Sequence, residues 1–104
     1  MNRLIAFMAL ATSVATAAAQ DTPPPIETVQ VVPGVHVLYG QGGNIGVSTG
    51  SDGMFLIDDQ YANLTDKVVE ALAKISPGQP RFVLNTHWHG DHTGGNENLA
   101  AKGS

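Results

Sequence analysis

Three histidines and an aspartate fall within six consecutive residues, His87-Trp88-His89-Gly90-Asp91-His92, directly after an apolar run. Only one other histidine, His36, exists in the chain. Packing explains such crowding poorly, because these side chains gain little from an apolar core. Imidazole nitrogen and carboxylate oxygen are instead natural ligands of zinc and related divalent metals. On an extended backbone, residues two apart point the same way, so His87 and His89 can meet one metal. Gly90 lets the chain turn, and the adjacent Asp91 and His92 then diverge to face a second metal beside the first. Thr93-Gly94-Gly95 permits a tight backbone before a helix begins. The blander readings are a polar surface loop, or one structural metal held by three of the four groups.

The residues before the cluster predict a strand meander, a helix and a last strand. Val29-Gln30-Val31-Val32 stops at the turn pair Pro33-Gly34. Val35, Val37 and Tyr39 alternate with His36 and Leu38, the period of a half-buried strand. A further strand, residues 44–49, leads into Gly50-Ser51-Asp52-Gly53, whose Asp-Gly signals a hairpin. Met54-Phe55-Leu56-Ile57 is continuously apolar, as in a strand covered on both faces. Asn63 is the expected helix N-cap, with Asp66 three residues on. Leu64, Val68, Leu72 and Ile75 form one apolar face, Glu70 and Lys74 pair one turn apart, and Ser76-Pro77-Gly78 ends the helix. Residues 81–86 form the strand that opens into the histidine cluster, and residues 95–101 begin a second helix. The order is α/β, with the chemistry at the C-terminal end of the last strand, where ligands sit in such sheets.

His87-x-His89-x-Asp91-His92 followed by Thr93-Gly94-Gly95-Asn96 resembles the signature of the metallo-beta-lactamase superfamily. The likeness extends to the glycine-broken strands, the strand ending Leu56-Ile57-Asp58 and the helix after it. It implies the N-terminal half of an αββα sandwich, an α+β fold. By that resemblance His87 and His89 bind a first metal, and Asp91 and His92 a second. Zinc is the implied cofactor, two ions per complete domain. Asp58 resembles the strand-end aspartate that supports the metal site from outside its ligand shell, although Asp59 next door is an alternative for that part. A bridging water of lowered pKa would be the nucleophile, with Asp91 the catalytic residue that both ligates and orients it. The substrate is expected to be a small molecule carrying a lactam, lactone, thioester or other ester. An iron-dependent oxidoreductase of the same fold and an inactive metal-binding fragment are the alternatives.

After His92 the chain offers no histidine and a single acidic residue, Glu97. Four side chains cannot serve two metals, since a catalytic zinc usually takes three protein ligands. A partial sequence is therefore expected, one that exposes an uncovered sheet face.

At the other end, Arg3, an apolar stretch from Leu4 to Leu10, and the small residues Ala17-Ala18-Ala19 have the layout of a signal peptide over residues 1–19. Thr12, Ser13 and Thr16 interrupt what would otherwise compete as a membrane anchor. Residues 20–28 read as a flexible proline-rich leader and residues 29–104 as the domain, working in the periplasm or outside the cell. The formal charge is −4, with no basic stripe, so no nucleic-acid partner is expected. Cysteine is absent, which excludes disulfides and thiolate ligands within these residues, and a lipid anchor at a signal-peptide cysteine. His36 is expected to be packed or solvated, and Asn44 a turn residue. Trp88 either lines a substrate pocket or packs beneath the ligand loop.

Overall fold

The computed structural model describes residues 22–104; the expected signal peptide lies outside them. Five strands form one sheet in sequence order: β1 (Glu27–Val32), β2 (Val35–Tyr39), β3 (Ile45–Gly50), β4 (Gly53–Ile57) and β5 (Phe82–Leu84). The first four run antiparallel, and β5 adds parallel to β4 after the crossover helix α1 (Thr65–Ile75). Two short helices follow, α2 (Gly90–Thr93) and α3 (Asn96–Ala101). Gly50 pairs with Gly53, so Ser51 and Asp52 form the hairpin loop and Gly53, at φ 110°, takes the left-handed turn position.

The core lies on one face of the sheet. Leu38, Ile45, Val47, Met54 and Leu56 meet Leu64, Val68, Ala71 and Leu72 of the α1 region and Leu99 of α3, all buried. The apolar stripe of the helix is thus core, with Ile75 packed at its edge. On the opposite face Val29, Val35, Tyr39, Ile57, Phe82 and Leu84 remain exposed. The apolar run of β4 is therefore covered on one side only, because the helices among the described residues form a single layer.

Three local expectations change. Asn63 does not cap α1: the chain enters through a 3₁₀ turn (Ala62–Leu64) that buries Leu64, and no side chain caps the helix. The Thr65 hydroxyl donates back to the Ala62 carbonyl instead. β1 begins at Glu27, two residues early, because Glu27 and Thr28 already pair with Tyr39 and Leu38. The stretch before it is tied down rather than loose: Lys67 Nζ donates to the carbonyls of Pro23 and Pro24, and Ile26 packs on the core. No helix of the described residues is long and apolar enough to cross a membrane.

Candidate metal centre

The site is assembled where β4 and β5 end side by side. Parallel pairing sets Ile57 against Leu84, so the residues that follow each strand leave the sheet together. After β4 comes Asp58-Asp59-Gln60, with Asp58 at φ 65° and Gln60 at φ 68°. Left-handed backbone at two non-glycine residues costs of order 1 kcal/mol each and persists only where surrounding contacts fix it. Here the contacts are plain. The Asp58 amide donates to Leu84 O and the Asp59 amide to His92 O.

Asp58 is 5% exposed at its side chain and touches both halves of the cluster. Its Oδ1 accepts the Thr86 amide at 2.7 Å, and its Oδ2 accepts the Thr86 hydroxyl at 2.8 Å. Oδ2 also lies 2.7 Å from His92 Nδ1. Burial alone raises the carboxyl's pKa, but the Thr86 amide, the His92 imidazole and the Thr86 hydroxyl outweigh it and hold the pKa below the ordinary value. The ionised carboxylate only accepts, so Nδ1 of His92 is the donor in that contact and Nε2 is the ring nitrogen turned away from Asp58.

Asp59 does different work. It is fully buried, and its Oδ1 accepts the Gly95 amide at 2.9 Å. Burial pushes its pKa up to about 6, with the Asp58 charge adding to the rise and the Gly95 hydrogen bond opposing it. Gln60 Oε1 accepts the Gly42 amide at 3.0 Å and holds the glycine-rich loop, residues 40–43, against the site. A Cβ on Gly43 would lie 2.4–2.5 Å from His92 Cε1 and Nε2, and one on Gly42 2.6 Å from Asp91 Cβ. Gly94 and Gly95 have ordinary helical φ values, −65° and −83°. Their need for glycine is close approach: a Cβ on either would meet the backbone of residues 59–62 at 2.7–2.8 Å.

The four expected ligands come together in two pairs. His87 and His89 do not share one side of an extended strand, since β5 ends at Leu84 and residues 86–88 bend. The bend brings His87 Nε2 to 3.1 Å from His89 Nδ1. Asp91 and His92 do not diverge; on the single turn of α2 His92 Nε2 lies 3.4 Å from Asp91 Oδ2. The rings of His87 and His92 are 4.0 Å apart, which joins the two pairs. Two nitrogens on a tetrahedral zinc, each 2.0–2.1 Å from it, stand about 3.3 Å apart. Both donor pairs match that edge, although no three donors among the described residues surround one point. The donor set therefore fits zinc, two ligands at a time.

Two asparagines and the tryptophan complete the setting. Asn85 Nδ2 donates to His92 O, and Asn96 Nδ2 to Asn85 Oδ1. Trp88 does not pack beneath the loop: it is 83% exposed, its ring 4.8 Å from that of His89.

The family model described as metallo-beta-lactamase superfamily matches residues 35–104. The chain belongs to the metallo-beta-lactamase superfamily. Among solved structures, a subclass B3 metallo-beta-lactamase of Bradyrhizobium japonicum is 26% identical, with TM-score 0.68 over 82% of this chain and 33% of its own. A metallo-beta-lactamase of Cronobacter sakazakii gives 22% identity and TM-score 0.67, over 75% of this chain and 31% of its own. A variant of the FEZ-1 metallo-beta-lactamase from Legionella gormanii gives 16% identity and TM-score 0.68, over 80% and 32%. The last two speak to the fold alone. None of the curated proteins compared matches the chain. The chain thus spans about a third of the length of these superfamily structures, and its α+β sheet-and-helix architecture is the N-terminal part of their fold.

Proposed function

We propose that residues 87–92 are the ligand segment of a two-zinc centre in an exported hydrolase of small molecules carrying a lactam, lactone, thioester or other ester. The observation that supports this best is the pair of donor separations, 3.1 and 3.4 Å, beside an imidazole already oriented by a buried carboxylate. His87 and His89 would hold one ion, Asp91 and His92 the other. The remaining ligands would come from the part of the superfamily fold outside these 104 residues. Zinc bound there supplies a Lewis acid for the substrate carbonyl and a water whose pKa falls toward 7.

The chain's own groups prepare that chemistry. Asp58 keeps His92 in the tautomer with a lone pair on Nε2, and fixes where the ring points. Asp91, beside that nitrogen, offers its carboxylate both as ligand and as the acceptor that orients the attacking water. Trp88 presents an apolar face next to His89, suited to the body of a substrate whose carbonyl faces the ions. Residues 1–19 would direct the protein to the periplasm or beyond.

The test uses the intact gene product. Metal content is measured by mass spectrometry, and hydrolysis with a chromogenic lactam, a lactone and a thioester. The native protein should carry two zinc ions and turn over at least one class. His87→Ala with His89→Ala should lose one ion and fall to background. Metal-dependent hydrolysis persisting in that double variant, or iron in place of zinc with no hydrolysis, would overturn the reading.

A further inference from the structure

Asp58 reaches His92 directly, yet nothing so far accounts for the orientation of His87. The Thr86 hydroxyl oxygen lies 2.8 Å from Asp58 Oδ2 and 2.8 Å from His87 Nδ1. A hydroxyl has one proton to give and two lone pairs with which to accept. The buried Asp58 carboxylate can only accept, so the Thr86 proton must point to it. The contact on the other side then has one assignment: His87 Nδ1 is the donor and the Thr86 oxygen its acceptor. His87 is thereby the Nδ1-protonated tautomer, with the lone pair of Nε2 turned toward His89 Nδ1 at 3.1 Å.

We propose that Thr86 is a positioning residue that relays the Asp58 charge to His87, so that one carboxylate fixes the tautomers of imidazoles in both halves of the centre. This rests on the metal-centre reading above. The relay needs a hydroxyl on an adjacent residue held in place by its own backbone, and the Thr86 amide supplies that hold through Asp58 Oδ1. Serine could replace threonine. Valine, of the same shape, could not, and would leave His87 to exchange between tautomers. Thr86 is exposed, so neither change disturbs the core.

The experiment compares the native intact gene product with Thr86→Val and Thr86→Ser. Long-range ¹H–¹⁵N spectra of the metal-free protein read the tautomer of His87, and zinc affinity is measured against a competing chelator. The Val variant should show His87 as a tautomer mixture and lose zinc affinity by about 10–100-fold, the usual cost of removing a partner behind a ligand. The Ser variant should keep the Nδ1-protonated form and stay within about threefold of native, since its hydroxyl makes the same two bonds. A purely structural role for Thr86 would move thermal stability without moving the tautomer. Overturning the relay takes a Val variant whose His87 remains a single Nδ1-protonated species. If the native protein takes up no zinc, the proposed function fails, while the metal-free spectra still decide the role of Thr86.

Discussion

Gly43→Ala should cripple metal binding while leaving the fold intact. A Cβ at this position would lie 2.4 Å from His92 Cε1, 2.5 Å from Nε2 and 2.9 Å from Nδ1, over the face of the ring. Ordinary contact begins near 3.4 Å, so the methyl group and the ring must part by roughly 1 Å. The loop resists, because Gln60 holds the Gly42 amide from beneath. The ring resists too, being bound to Asp58 at 2.7 Å. If the ring yields by that distance, the hydrogen bond to Asp58 is gone. A bond to a charged group contributes about 1.5–3 kcal/mol, which is roughly 10- to 150-fold in affinity at 1.4 kcal/mol per decade. The assay is zinc titration of the native and Gly43→Ala proteins against a competing chelator, with thermal melting alongside. Gly90→Ala, between His89 and Asp91, is the control, since nothing lies within 4 Å of its added Cβ. If Gly43→Ala binds both ions as tightly as the native protein, the loop does not wall the site and the reasoning fails.

Four further outcomes follow from the geometry. Asp58→Ala removes the acceptor of three hydrogen bonds and should lower both zinc affinity and melting temperature, costing about 2–4 kcal/mol by denaturant titration; a loss under 1 kcal/mol would show that water replaces those bonds. Leu72→Ala should cost about 2–5 kcal/mol without touching the ligands, read as a shifted denaturant midpoint at unchanged slope. Gly53→Ala combines φ 110° with a Cβ 2.7 Å from Arg81 Cδ, and should destabilise by about 1–3 kcal/mol; a neutral result would mean that the hairpin loop relaxes. Asp59 has a folded pKa raised from 3.8 to about 6, so the folded state holds its proton more tightly than the unfolded chain does. Its contribution to stability is therefore present below about pH 4 and lost as pH rises to about 6, and Asp59→Asn should remove that slope from melting temperatures of the metal-free protein.

Much of this was legible in the sequence, for identifiable reasons. Alternation over residues 35–39 marks a strand, although the face it buries carries Leu38 while Val35 and Tyr39 stay exposed; the stripe Leu64, Val68, Leu72 and Ile75 is a local signature of burial and packs as the core. The candidate site stands out in the sequence because histidine and aspartate so close together have few other uses. Contacts between distant residues left no such trace. Thr86 with Asp58, 28 residues apart, and Gly42 with Gln60, 18 apart, meet only because β5 lies parallel to β4 and the loop after β2 folds over their ends. The glycines after the ligands were visible, but their reason was not. Turn chemistry suggests flexible dihedrals, whereas the structure shows a backbone packed so closely on residues 59–62 that no methyl group fits. Asn63 failed as a cap because burying Leu64 in a 3₁₀ turn decided how the helix starts.

Residues 58–60 reach three separated stretches of chain: Asp58 holds residues 86 and 92, Asp59 holds residues 92 and 95, and Gln60 holds residue 42. The spacing along the chain between those stretches is then of little account to the ligands. Extra residues at the Ser51-Asp52 hairpin tip, or in the open turn at Gly78, would lengthen the protein without altering which atoms meet at the centre. One residue inserted between Ile57 and Tyr61 would put every one of those attachments out of step. This chain should therefore accept growth almost anywhere on its rim, and none at the end of its fourth strand.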